Sequence, residues 1–356
     1  MAEEYFNQFR KNAREKGIPI GGKFELTPRC TLDCKMCYVH LTEKQMCGRS
    51  ELPTSKWIEI IDQAYKAGLT FALLTGGECM LHPGFAKIYE HLQKLGVITT
   101  VNTNGLYLSE ENIELFRRIP PRGFNVSLYG TSDAVYKEVA GVDGAYQKVV
   151  HNILRLKELG FFVSVSITVS KYLLSDVSNV VDFCRKNGLK KNINVSLFDA
   201  REDTCRSIDD FGLTVDEQID VLRKVRLCDN RTLFDNPSPV SPPERCPDNV
   251  ILRCADCGAG RESYLITWNG ELRPCFLISD ISENLLEKSF EDAWNSLHAV
   301  SIQMVIPSEC ETCSLKKYCH ACFMRRADPK NPSHCNPEMC SLTKKKITAG
   351  IVKYNP

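Results

Sequence analysis

Residues 30–38 read CTLDCKMCY, which sets Cys30, Cys34 and Cys37 in a C-x3-C-x2-C spacing just behind a short strand pattern, GKFELT at 22–27. Thiolates packed into so tight a loop suit zinc or an iron–sulfur cluster. Structural zinc closes its site with four ligands. The next thiol here is Cys47, beyond a loop that contains His40, so a Cys3His zinc site is the plain alternative. Three thiolates on a four-iron cluster instead leave one iron open to a substrate or cofactor.

Outward from this loop, strand and helix patterns alternate. PTSKWIEIIDQAYKAG (53–68) carries apolar residues at helical spacing, with Pro53 near its start and Gly68 as its stop. LTFALLT (69–75) follows as an apolar strand, and helices near 84–95, 109–118, 145–160, 175–186 and 214–225 alternate with strands at 97–103, 124–130, 161–170 and 192–198. Six strand–helix units in a row, with strands read as mostly apolar on both faces, predict parallel strands covered by helices. The fold class is α/β: a partial (β/α)6 TIM-like barrel, with chemistry at the C-terminal strand ends, followed by a small cysteine-rich iron–sulfur domain. The expected boundaries are an N-terminal extension at 1–21, the barrel at 22–230, a linker with five prolines at 231–247, the cysteine-rich domain at 248–345 and a tail at 346–356.

The chain has 356 residues, a net charge of +1, 43% hydrophobic and 25% charged residues, so neither nucleic acid nor an anionic membrane is an expected partner. Its start is polar rather than signal-like and no apolar run is long enough to span a bilayer, which predicts a cytoplasmic protein. Eighteen cysteines are abnormal, and ten of them fall between 246 and 340. In a reducing compartment such clusters read as metal ligands.

The cysteine loop resembles that of the radical SAM superfamily, in which it follows the first strand of a partial barrel. The resemblance implies a [4Fe–4S] cluster on Cys30, Cys34 and Cys37, whose open iron is chelated by S-adenosylmethionine (SAM). It also implies cleavage of SAM to a 5′-deoxyadenosyl radical that abstracts hydrogen from a substrate. Met36 stands where the family usually has an aromatic residue; Tyr38 follows and is assigned to the cofactor site. TGGE at 75–78 is similar to the superfamily's GGE motif. Gly76 and Gly77 there let backbone approach a ligand closely, and the Glu78 carboxylate suits the SAM ammonium. Cys79 stands where many members have proline. Asn104, in NTNG at the third strand end, resembles the ribose contact; Ser127 on the fourth strand and Thr168 on the fifth complete the cofactor set. Tyr129 and Asp199 are catalytic candidates by position only.

The later cysteines resemble the SPASM extension, which carries two auxiliary [4Fe–4S] clusters, three in all with the first. The match assigns Cys254, Cys257, Cys275 and Cys322 to one cluster, and Cys310, Cys313, Cys319 and Cys340 to the other, with Cys335 competing for the last place. CHAC at 319–322 is one residue shorter than the usual block. Zinc ribbons are the structural alternative, since CADC and CETC are zinc-like pairs. ITWNGELRPCF (266–276) reads as a hairpin and NLLEKSFEDAWNS (284–296) as the helix after it.

SPASM-type members mostly modify peptides. The expectation is therefore a maturase that abstracts hydrogen from a residue of a ribosomally made peptide, giving a C–S or C–C crosslink or another oxidised side chain. Its expected partners are the peptide and a reductant such as flavodoxin or ferredoxin. A leader-binding module of the usual kind does not fit in the residues before the barrel, so either leader recognition lies elsewhere, in a separate protein or the barrel surface, or the substrate needs none. Three alternatives stay open: a sulfatase-maturase-like enzyme forming formylglycine, a small-molecule radical dehydrogenase or haem-pathway enzyme, and a non-enzymatic iron–sulfur or zinc protein. Against the first stands Phe276, where such enzymes have an aspartate base after the hairpin cysteine.

Overall fold

The computed structural model describes residues 2–201, 204, 206–229, 257–304, 307–319, 322–328 and 330–352. The linker expected at 231–247 and the predicted ligand Cys254 lie outside them. The described residues form two compact units. One runs to Gly212 and takes in Gly258–Ile302; the other comprises the described residues of Leu213–Cys257 and those from Gln303 onward. These units do not follow the boundaries read from the sequence, because the hairpin assigned to the cysteine-rich domain belongs to the first of them.

All six expected strands of the first unit are present: β1 (Gly21–Glu25), β2 (Phe71–Thr75), β3 (Ile98–Thr103), β4 (Gly123–Ser127), β5 (Val163–Thr168) and β6 (Lys190–Asn194). Each pairs in parallel with the next. Helices Thr54–Lys66, Phe85–Lys94, Glu110–Arg118, Ala145–Glu158 and Val177–Lys186 provide the crossovers. Their ends are locally encoded: Ser109 caps Asn112 N–H, for example, with Glu110 and Glu111 in the first turn and Arg117 and Arg118 in the last.

The sheet does not stop at β1. Strand β7 (Ser263–Ile266) pairs in parallel with β1, and β8 (Glu271–Arg273) and β9 (Glu283–Asn284) continue antiparallel. The order among the described residues is β6-β5-β4-β3-β2-β1-β7-β8-β9. The hairpin read from 266–276 is thus present, and its first strand extends the barrel sheet. The helix read from 284–296 begins later, at Phe290, and ends at Ser301.

The strands are not apolar on both faces. Phe24, Ala72, Leu74, Val101, Phe124, Val126 and Val165 are buried on one face, where Phe24 meets Trp57 and Tyr264 edge to face at 6.1 and 6.3 Å. The alternate positions on the other face include Lys23, Thr75, Asn102, Asn125, Ser127, Ser166 and Thr168, all only half-buried. Registers place these polar side chains in rows, with Asn125 donating to Asn102 at 2.8 Å. A closed barrel fills its interior with branched apolar residues; this partial one keeps its inner face polar.

The N-terminal residues form a helix, Ala2–Glu15, whose Arg10 and Arg14 both grip Glu262, 1% exposed, at 2.8 and 2.7 Å. These guanidinium groups outweigh the burial of the Glu262 carboxylate and hold its pKa below the ordinary range. A depressed pKa stabilises the fold above the unfolded value, about 4.3, and that contribution is lost as pH falls through the folded value. Glu262→Gln is therefore expected to cost about 2 kcal/mol at neutral pH. Thermal melts between about pH 6 and pH 3 should show the gap to wild type closing on acidification. A gap independent of pH would remove the ion-pair explanation.

Candidate functional site

Beyond β1 the chain turns through the cysteine loop. Cys34 is buried, Cys30 and Cys37 are half-buried, and Cys37 N–H closes a tight turn on the Cys34 carbonyl at 3.0 Å. Backbone N–H groups of Leu32 and His40 donate to Cys30 Sγ and Cys37 Sγ at 3.4 and 3.3 Å, the kind of bond that steadies a thiolate ligand. Asp33 and Lys35 N–H bind the carbonyls of Ala140 and Val139, at the end of the helix Asp133–Ala140. His40 faces Asp33, with Nδ1 3.3 Å from Oδ1. Burial raises the Cys30 thiol to about 11 and moves Cys34 up as well. Metal coordination reverses that balance by deprotonating the ligands outright.

Gly76 and Gly77 let backbone approach backbone. A Cβ on Gly76, whose φ is +140°, would lie 2.4 Å from Thr27 O, and one on Gly77 2.3 Å from Arg29 O. Gly77 and Glu78 N–H bind those same two carbonyls, each at 2.8 Å. The glycines thus clamp the end of β2 onto the chain that leads into Cys30. Gly77→Ala forces this backbone apart and is expected to destabilise the protein by about 1–3 kcal/mol and to lower iron retention. Denaturant titration with iron analysis checks both, and wild-type values would refute the clamp.

The Glu78 carboxylate is fully buried. It accepts from Thr103 Oγ1 at 2.8 Å, Asn104 N–H at 2.9 Å and Met80 N–H at 3.3 Å, while burial pushes its pKa up to about 7. The Asn104 side-chain amide donates to Cys30 Sγ at 3.4 Å and Thr31 Oγ1 at 2.9 Å. Tyr129 lies just past the end of β4, its ring 6.0 Å from that of Tyr136, and burial raises its pKa. Cys30, Cys34, Cys37, Gly76, Gly77, Glu78 and Asn104 form one connected group, with Ser127 at the end of the neighbouring strand β4 and Tyr129 just beyond it. Thr168 is half-buried at the end of β5, in register with Asn194. Asp199 is exposed and caps Ile208 N–H at 3.0 Å, a local structural task. Cys79 is fully buried, its thiol donating to Asn102 O at 3.3 Å.

Sequence reading missed the charged pair beside this group. Glu25, 1% exposed, is held by both terminal nitrogens of Arg201 at 2.8 and 2.9 Å. The Arg201 guanidinium lies 5.8 Å from the Tyr38 ring, whose other neighbour is Phe276 at 5.1 Å. Lys23 Nζ sits 5.6 Å above Phe276. Arg206 donates to the carbonyls of Cys37 and His40, each at 3.4 Å, and also pairs with Asp33. Lys23 and Glu25 lie on the inner face of β1, and their partners are far along the chain, where nothing in the local sequence points to them.

Cys275 is buried in the first unit, at the end of the β7–β8 hairpin, with Leu277 N–H on its sulfur at 3.4 Å. In the second unit Cys310, Cys313, Cys319, Cys335 and Cys340 line one pocket together with Arg326. Both candidates for the last ligand place are thus present there. Burial and then the neighbouring Cys310 raise the Cys335 thiol to about 12. Cys257 and Cys322 also belong to this unit and are half-buried. Among the described residues, no three His, Cys, Asp or Glu side chains converge as for a single metal ion, and no helix is long and apolar enough to cross a membrane.

Comparison with known proteins agrees with this geometry. The Radical SAM superfamily domain matches residues 24–184 and the SPASM iron–sulfur cluster-binding domain residues 257–323. The antilisterial bacteriocin subtilosin biosynthesis protein AlbA of Bacillus subtilis is 25% identical over 358 aligned residues, covering 96% of this chain and 75% of AlbA. The sporulation killing factor maturation protein SkfB of the same organism is 28% identical over 171 residues, covering 48% of this chain and 41% of SkfB. Among solved structures, Streptococcus suis SuiB bound to S-adenosylmethionine superposes with a TM-score of 0.69 at 19% identity, over 91% of this chain and 77% of SuiB. Native anSMEcpe with bound AdoMet gives 0.68 at 14%, over 93% and 97%. Both show the same fold. The chain carries a Radical SAM superfamily domain and a SPASM iron–sulfur cluster-binding domain, which mark it as an enzyme whose cofactors are SAM and [4Fe–4S] clusters.

Proposed function

We propose that this enzyme is a peptide maturase that removes hydrogen from a residue of a ribosomally made peptide to form a C–S or C–C crosslink or another oxidised side chain. The observation that carries the reading is the AlbA match, which runs over 96% of the chain and so includes the barrel and the late cysteines alike. SkfB is named as a maturation protein, and SuiB has been solved with its precursor peptide SuiA. A half-buried polar inner face suits an extended peptide, whose backbone amides need hydrogen-bond partners.

Bound SAM and its cluster supply the 5′-deoxyadenosyl radical. Cys30, Cys34 and Cys37 hold that cluster, and Asn104 and the loop N–H groups steady their sulfurs. Tyr38, Gly76, Gly77, Glu78, Asn104, Ser127 and Thr168 make up the SAM site. Cys275, Cys257, Cys322 and Cys254 ligate one auxiliary cluster, and four of the five pocket thiols the other. A flavodoxin or ferredoxin supplies electrons, and leader recognition falls to a separate protein or the barrel surface. A formylglycine-forming reading is disfavoured because Phe276, after Cys275, packs its ring on Tyr38 and Phe198 and brings no carboxylate.

Glu78→Gln removes a charged partner of the SAM ammonium, and SAM affinity is expected to fall about tenfold to a hundredfold; equilibrium binding to the reconstituted protein measures it. The activity test incubates the reconstituted enzyme, SAM and dithionite with cysteine-containing precursor peptides encoded beside it. Loss of two hydrogens from a peptide, matched by 5′-deoxyadenosine, supports the maturase. Steady 5′-deoxyadenosine with every peptide unchanged would sink it.

A further inference from the structure

Arg326 is 7% exposed and lines the five-thiol pocket. One terminal nitrogen donates to the Cys319 carbonyl at 3.1 Å. Its Nε is buried without a hydrogen-bond partner, and among the described residues no carboxylate pairs with it. A buried guanidinium without a counter-charge is costly, and the acidic groups that share its pocket are the thiols of Cys310, Cys313, Cys319, Cys335 and Cys340.

A cluster held by four thiolates is a net anion and gains one more negative charge on reduction. Its potential responds to net charge, hydrogen bonding and solvent exposure around it. A fixed positive charge at low dielectric therefore stabilises the reduced form more than the oxidised one.

We propose that Arg326 is the counter-charge of the auxiliary cluster in this pocket and sets its reduction potential above that of the same cluster in a neutral surrounding. The inference rests on reading the pocket as a cluster site, and it is independent of what the peptide substrate is. The Cys319 carbonyl contact alone gives Arg326 a structural task; the charge-dependent potential is what distinguishes the two roles.

The test is a redox titration of the full, anaerobically reconstituted chain, read by electron paramagnetic resonance, with the pocket's signal identified as the one lost in Cys310→Ala. In Arg326→Gln the ratio of reduced to oxidised cluster at a fixed potential is expected to fall about tenfold, a midpoint lower by 59 mV for one electron. Arg326→Lys should restore most of it. The other clusters keep their midpoints. An unchanged midpoint in Arg326→Gln with its iron retained overturns the proposal. Should that variant lose iron, the same titration is made on Arg326→Met, and an unchanged midpoint there overturns it instead. If Cys310→Ala removes neither iron nor signal, the pocket holds no cluster and the proposal falls, while the SAM-cluster site stands.

Discussion

Cys34→Ala is expected to reduce 5′-deoxyadenosine formation to background and to remove the iron of one cluster, leaving the iron of the late cysteines in place. Cys34 is the most buried of the three loop thiols, and its neighbours Asp33 and Lys35 are tied by backbone bonds to the helix end at Val139 and Ala140. Two thiolates then face three ligand positions. The loss should exceed that of Asn104→Ala, which removes only a hydrogen bond to Cys30. A change of that lesser kind around a metal ligand typically costs about tenfold to a hundredfold. Iron and sulfide analysis, with chromatography of the SAM products, reads both variants. Full iron and normal SAM cleavage in Cys34→Ala would place the SAM cluster elsewhere.

Arg201→Ala is expected to cost more stability than the other substitutions proposed. Glu25 lies on the inner face of β1 with both carboxylate oxygens taken by Arg201, and it has almost no contact with solvent. Removing one partner of such a pair strands a buried charge, a cost of about 3–5 kcal/mol. In a unit of this size that lowers the melting midpoint by about 10 °C. Glu25→Leu combined with Arg201→Met removes both charges and should recover most of the loss, since the expense lies in the unpaired ion. Calorimetry of the single and double variants decides the matter; a single variant within about 1 kcal/mol of wild type, the range of an exposed ion pair, would show that water reaches Glu25. The double variant also isolates function. Tyr38 lies under the Arg201 guanidinium, so a stable protein with altered SAM affinity would tie this pair to the cofactor site.

The six parallel strands, the cysteine loop and the GGE turn were legible because each is written in contiguous residues. Alternation, helix stops and C-x3-C-x2-C spacing survive in a one-dimensional string. Two contacts were not legible, for a shared reason. The glycines at 76 and 77 also admit the backbone of Thr27–Arg29, and strand β7 pairs with β1. In both cases the partner is remote in the chain, and nothing local encodes which remote segment arrives. The polar inner face lay in the strands themselves, but an apolar majority in each run masked the alternation of Lys23 and Glu25 with Gly22 and Phe24.

The sequence by itself determined the family, the ligand types and the order of elements, since these follow from side-chain chemistry at short spacing. Only the tertiary structure decided that Arg201 neutralises Glu25, that Asn104 turns to the Cys30 sulfur, and that Cys310, Cys313, Cys319, Cys335 and Cys340 share a pocket with a buried arginine. The physical reason is that a buried polar group must find a partner within about 3 Å, and packing of distant segments, rather than neighbourhood in the chain, supplies it.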